Sequence, residues 1–206
     1  MAKKKKKEGI RLHMGCGSNV LDGWYNTDIF PTDERVRFQD ATQPFSFEDE
    51  SFGFIFSEHM FEHIPFLCGV NMLKECYRVL KPGGVFRLSL PTLDFLIKLW
   101  IAKDDEDVKD YIDWSLRRHD ISSCVDTIKG PKACFVINNF YRLWGHMMIY
   151  DVSTIIEMLK NAGFSEVKVV PNDDSEYSEL KSVNGHWKII SKKYNDIETT
   201  TFEAKK

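Results

Sequence analysis

Ile10-Arg11-Leu12-His13-Met14-Gly15-Cys16-Gly17 carries apolar side chains at positions 10, 12 and 14 and then breaks into Gly-x-Gly. Such a run reads as a buried strand that turns sharply, with a backbone bare enough for a ligand to approach. A dinucleotide loop of the G-x-G-x-x-G kind needs a third glycine three positions on, where Val20 stands, so the pattern does not specify NAD. Two further strand-like runs, 24–28 and 36–40, end in Asp28 and Asp40. Carboxylates at the ends of parallel strands lie where ligands of open α/β sheets gather, and they accept from hydroxyl and amine donors.

Further along, Phe52-Gly53-Phe54-Ile55-Phe56 is a continuous apolar run suited to a central strand covered on both faces. Residues 68–80 place Leu73, Cys76, Tyr77 and Leu80 at helical spacing, and Lys81-Pro82-Gly83-Gly84 stops the helix. Val85-Phe86-Arg87-Leu88-Ser89-Leu90 is the next strand. Strand, helix and strand in this rhythm predict a parallel α/β sheet. The links 18–22 and 30–35 are short for parallel crossovers, so this half of the fold is trimmed.

The motifs Leu12-His13-Met14-Gly15-Cys16-Gly17, Gly23-Trp24-Tyr25-Asn26-Thr27-Asp28, Asp40-Ala41 and Ser57-Glu58-His59-Met60-Phe61-Glu62-His63 occur in one order. Leu80-Lys81-Pro82-Gly83-Gly84 and Asn161-Ala162-Gly163-Phe164 extend the series. Over about residues 10–170 the chain thereby resembles the class I S-adenosylmethionine-dependent methyltransferases, and more closely their small type 11 group. The resemblance implies a Rossmann-like, mostly parallel sheet with an antiparallel last strand. It implies S-adenosylmethionine as cofactor, held by Met14, Gly15, Cys16, Gly17, Asp28, Ile29, Asp40, Ala41 and Ser57. It also includes a Gly-His followed by Tyr-Asp, matched here by Gly145, His146, Tyr150 and Asp151.

Residues 10–206 are expected to form one domain after a basic tail, 1–9, with a helical insertion at about 91–148. The insertion has helix-like stretches at 94–103, 105–119 and 135–147, rich in aromatics such as Trp100, Trp114, Phe140 and Trp144. It reads either as a lid over the acceptor pocket or as helices packed on the body. Asp151 suits the N-cap of a helix ending at Asn161-Ala162-Gly163. Residues 167–170 and 197–204 are the expected last two strands, an antiparallel hairpin at the sheet edge. Between them a polar excursion, 172–195, contains His186 and has the length to fold back toward the site.

A length of 206 residues, 43% hydrophobic, with a formal net charge of −3, suits a globular body with a sizeable core. The cysteines, Cys16, Cys68, Cys76, Cys124 and Cys134, are odd in number and lack Cys-x-x-Cys spacing. With no apolar leader at the start, this usage points to a reducing cytoplasm. The most apolar helix candidate, 93–102, is too short to span a bilayer and carries Asp94 and Lys98, so no membrane role is expected. Lysines at positions 3–7 suit either phosphate-rich polymers and anionic lipid or a solvated tail. With no basic stripe elsewhere, nucleic acid is not the expected partner.

His59-Met60-Phe61-Glu62-His63 spells His-x-x-Glu-His, a zinc-peptidase pattern in which two histidines on one helical face bind the metal and the glutamate is the base. Here the motif follows a buried strand and Pro65 truncates any helix, and no third ligand stands at an interpretable spacing, so no metal is expected. Methyl transfer from a sulfonium needs alignment, a dry pocket and removal of the acceptor's proton. His59, His63 and His146 are the candidate bases, each with the alternative of a structural hydrogen bond; for His146 that alternative is fixing the lid. The reading is a methyltransferase acting on a small molecule, with O-methylation of a sugar or saccharide precursor as the acceptor chemistry. A catalytically inactive cofactor-binding interaction protein and a zinc-dependent hydrolase are the alternatives.

Overall fold

A computed structural model describes residues 10–102, 104–118, 125–130 and 132–206; the basic tail, 1–9, lies outside the described residues. Seven strands form one sheet: β1 (Ile10–Met14), β2 (Tyr25–Asp28), β3 (Val36–Phe38), β4 (Phe52–Glu58), β5 (Leu80–Pro91), β6 (Glu166–Val170) and β7 (Thr199–Lys205). Their order across the sheet is β3-β2-β1-β4-β5-β7-β6. The first five run parallel, and β7 is antiparallel to both β5 and β6. The sequence places the last strand from 197, but Ile197 and Glu198 belong to a helix and β7 begins at Thr199.

The register puts Leu12 beside Ile55 and His13 beside Phe56, so each strand sends alternate side chains to opposite faces. One face is apolar. Leu12, Met14, Ile55, Phe86, Leu88, Phe202 and Ala204 pack with α1 (Phe66–Val79) and with a later helix, Val152–Ala162, around one core. That later helix begins and ends where its sequence says: Asp151 accepts the amide of Thr154 at 2.9 Å, and Gly163 closes it at φ 115°. Such a cap contributes about 1 kcal/mol.

The opposite face is polar, carrying Asn26, His13, Glu58, Arg87, Ser89, Thr201 and Glu203. In a doubly wound sheet, crossover helices would cover it. Here the β1–β2 and β2–β3 links contain no helix, and the excursion after β6 takes their place. Arg87 is the anchor. Its guanidinium donates to the carbonyls of Pro171, Asn172 and Asp174 at 2.7–3.0 Å, to Asn184 Oδ1 at 3.0 Å and to the Glu203 carboxylate.

Between β5 and Val152–Ala162 the chain inserts α2 (Leu93–Ile101), α3 (Glu106–Arg118) and α4 (Ala133–Arg142), which makes Val152–Ala162 α5. Its two ends are stitched together, Leu93 N donating to Tyr150 O at 2.8 Å and Val152 N to Asp94 Oδ2 at 2.8 Å. The insertion has its own core, built from Leu96, Leu99, Tyr111, Ile112, Val136 and Phe140. Helix α4 stops at Arg142 instead of reaching 147, because Trp144 and Gly145 take φ of 59° and 79° and turn the chain back. Two short helices, α6 (Trp187–Ile190) and α7 (Lys192–Glu198), finish the excursion. No helix among the described residues is long and apolar enough to cross a membrane.

Candidate functional site

The glycine turn after β1 has the conformation its sequence asks for. Gly15 and Gly17 have φ of 60° and 49°, a region that side chains disfavour. A Cβ at Gly15 would lie 2.3 Å from Met60 Cγ, so the turn packs directly under Met60. A Cβ at Gly17 would meet nothing within 4 Å, and this is the open side of the loop. Asp28 holds the turn in place, accepting the amide of Gly17 at 2.9 Å on Oδ2 and that of Phe30 at 2.9 Å on Oδ1. Asp40 accepts from the amide and hydroxyl of Thr42.

Where β4 ends, His59 stands at φ 48°, an unusual conformation for a residue with a side chain, and its amide donates to Ser89 O at 2.9 Å. A 3-10 turn, Phe61–His63, follows, and Pro65 precedes α1, so the His-x-x-Glu-His segment never forms a helix face. Glu62 O instead accepts the amides of Met147 and Met148 at 2.8 and 3.1 Å. These two bonds dock the end of the insertion on the turn and bring His146 to His63, with ring centroids 4.8 Å apart.

Proton positions follow from the partners. His146 Nδ1 faces the Phe140 carbonyl at 2.7 Å, so Nδ1 carries the proton and Nε2 the lone pair; burial lowers its pKa and keeps it neutral. His59 Nε2 lies 2.8 Å from Thr199 Oγ1, whose own proton goes to Asn195 Oδ1, so Nε2 is a donor. His59 Nδ1 faces Glu62 Oε1 at 3.4 Å. Burial works against charge on His59, yet Glu62, Glu198 and Glu58 together raise its pKa. Burial likewise works against a charged Glu62, and the neighbouring His59 and His63 outweigh it and lower its pKa. Each of the two therefore favours the charged form of the other. On the other side His59 stacks on His186, centroids 3.8 Å apart, and His186 Nε2 lies 3.1 Å from Glu198 Oε1. Tyr111 donates to the second Glu198 oxygen, and burial beside that carboxylate raises the Tyr111 pKa well above 10.

A cavity of about 450 Å³ opens between the glycine turn, the end of β4, the insertion and the excursion. Its walls combine Gly15, Cys16 and Gly17 with His59, Glu62, His63 and His146, the aromatics Tyr111, Trp114, Phe140 and Trp144, and Gly185 and His186.

Residues 24–88, from β2 to β5, match the family model Methyltransferase domain, type 11. The chain has the Rossmann-like fold of the class I methyltransferases. Its fold is that of a SAM-dependent methyltransferase from Archaeoglobus fulgidus, at 17% identity over 97% of this chain and 87% of that one, with a TM-score of 0.51. A chain of the complex between the Haloferax volcanii Trm112 methyltransferase activator and its methyltransferase is similar at 16% identity, over 96% and 82%, with a TM-score of 0.50. No curated protein matches.

The expected site residues divide. Gly15, Cys16, Gly17, His59, His63 and His146 all line the cavity. Met14, Asp28, Ile29, Asp40, Ala41 and Ser57 are not in its wall; Asp28, Ile29, Asp40 and Ala41 continue along the ends of β2 and β3. Met14 and Ser57 point to the α1 face: Met14 Sδ is 3.8 Å from Cys76 Sγ, and the Ser57 hydroxyl is buried with no partner among the described residues. Asp28 differs from expectation in that each of its oxygens already accepts a backbone amide. Glu198 escapes the sequence reading because long-range packing alone brings it here, whereas Tyr111 belongs to the aromatic-rich insertion expected at the pocket; the excursion signalled its role only through His186.

Proposed function

We propose that this chain is a methyltransferase that transfers the methyl group of S-adenosylmethionine to a hydroxyl of a small acceptor, of the kind a sugar or saccharide precursor presents. The observation that carries the proposal is one cavity joining the open face of the Gly15-Cys16-Gly17 turn to a wall of histidines and aromatic rings. The residues fit the cofactor: the turn offers bare backbone with open space above Gly17, and Asp28 and Asp40 follow along the adjoining strand ends. When bound, the cofactor supplies an electrophilic methyl group on a sulfonium.

The chain's own residues do the rest. Tyr111, Trp114 and Phe140 exclude water and offer flat surfaces against which the apolar face of a sugar ring can lie. About 450 Å³ is within the ordinary range for a small-ligand pocket. The acceptor's proton leaves to the histidine wall. With Nε2 bonded to Thr199 and Nδ1 turned to the Glu62 carboxylate, His59 is poorly placed to receive it, and His63 and His146 are the better receivers. In this reading the insertion is the lid of the acceptor pocket.

The test is calorimetric titration with S-adenosylhomocysteine, followed by assays of hydroxylated acceptors for methylated product. Binding with turnover is expected. Binding without turnover across sugars and sugar phosphates favours a cofactor-binding interaction protein, and absence of binding overturns the proposal.

A further inference from the structure

We propose that Glu62, His63 and His146 form a binding site for one divalent transition-metal ion of the zinc type in the wall of the cavity. Four observations converge on it. The candidate ligand atoms of the three side chains all lie within 4.8 Å of one another. Glu62 is wholly buried, and neither of its carboxylate oxygens accepts a hydrogen bond among the described residues. A buried carboxylate without donors is costly, and His59 Nδ1, at 3.4 Å, does not satisfy its lone pairs. A cation between Glu62 and the two imidazoles satisfies them.

The third observation is the state of His146. Its Nδ1 proton is committed to the Phe140 carbonyl at 2.7 Å, which fixes the ring and leaves Nε2 as a lone pair. A backbone carbonyl on the far nitrogen is the usual support of a metal-bound histidine. The fourth is the backbone: Glu62 O accepts the amides of Met147 and Met148, so the segment carrying His146 is docked on the turn that carries the other two ligands.

Two histidines and one glutamate are a common donor set for zinc with an open fourth position. Tetrahedral ligands about 2.1 Å from an ion stand roughly 3.4 Å apart, so side-chain rotations of about 1 Å close the three around it. The neighbouring group His59, His186 and Glu198 is as compact, yet Glu198 already accepts from Tyr111 and pairs with His186, so its oxygens need no ion. The open position of the proposed ion faces the cavity. There, on the methyltransferase reading, an acceptor hydroxyl bound to the ion is made more acidic. With the ion bound, the lone pairs of His63 and His146 would hold the metal instead of receiving the proton, and the acidified hydroxyl would release its proton to solvent water at the cavity.

The test uses the untagged full chain, stripped with a chelator, dialysed and titrated with Zn²⁺ and, for its visible spectrum, Co²⁺. One ion per chain with a four- or five-coordinate Co²⁺ spectrum is expected, and Glu62→Gln and His146→Ala should each weaken uptake by at least about 100-fold. His186→Ala should leave uptake unchanged. A cooperative thermal melt followed by circular dichroism of each metal-free variant reports that it is folded, so lost metal is not mistaken for lost structure. The proposal fails if folded wild type takes up no ion, or if uptake by folded protein survives Glu62→Gln or His146→Ala, loss in His186→Ala instead assigning the ion to His59, His186 and Glu198. Ion uptake without S-adenosylhomocysteine binding would retain the metal site and remove the methyltransferase reading.

Discussion

Glu58, the last residue of β4, accepts the backbone amide of Gly185 at 2.7 Å, across a sequence separation of 127 residues. The same oxygen accepts the His186 amide at 3.1 Å, and the other takes the Asn184 side-chain amide at 2.9 Å. Asn184 in turn bonds Ser89 and Arg87. One carboxylate therefore fixes where the excursion crosses the strand ends and sets one wall of the cavity.

Removing that carboxylate should free the wall without unfolding the sheet. Glu58→Ala is expected to cost about 2 kcal/mol of stability through the lost charge-assisted bonds. Amide exchange at Gly185 and His186 should accelerate selectively. Uniform acceleration across the sheet, or none at all, would show that the excursion is held by other contacts.

Asp28 supports the glycine turn through the Gly17 amide. Asp28→Ala should therefore weaken S-adenosylhomocysteine binding by roughly 10- to 100-fold, corresponding to about 1–3 kcal/mol. Calorimetry with wild type and variant measures it, and an unchanged affinity would take Asp28 out of the cofactor site.

Acid should destabilise the protein through His13. This side chain is buried, stacks on Phe56 and donates from Nδ1 to Asn26 Oδ1, and burial lowers its pKa to about 4. Between the unfolded value near 6.5 and about 4, the unfolded chain binds more protons than the folded one, so stability falls as pH falls through this window. The contribution lost is about 3 kcal/mol. Urea melts between pH 7 and 4 should show a shallower pH dependence for His13→Gln than for wild type.

Arg87 is fully buried, and the Glu203 carboxylate, also buried, depends on it. Arg87→Met should cost about 3–5 kcal/mol, because it leaves Glu203 unpaired and strips donors from three backbone carbonyls of the excursion. Adding Glu203→Gln should recover part of the loss. If the double variant is no more stable than the single in denaturant titrations, the penalty lies in the carbonyls instead.

By itself the sequence determined the parallel strands, the glycine turn, the end of α1 and both caps of α5. These are local matters: apolar periodicity, the left-handed φ of Gly15 and Gly163, and the reach of Asp151 to Thr154 act within a few residues. It also carried Gly15, Cys16, Gly17, His59, His63 and His146 to the cavity, since each sits at a strand end or in a recognisable motif. What only the tertiary structure decided is how distant segments meet. Helix α4 ends early because Trp144 and Gly145 turn the chain, and that turn puts His146 beside Glu62. The excursion's place follows from Arg87 and Glu58, two charged side chains on the face that crossover helices would otherwise cover. No local pattern encodes those meetings, because a buried polar group takes its partner from whichever segment the folded chain brings within hydrogen-bonding distance.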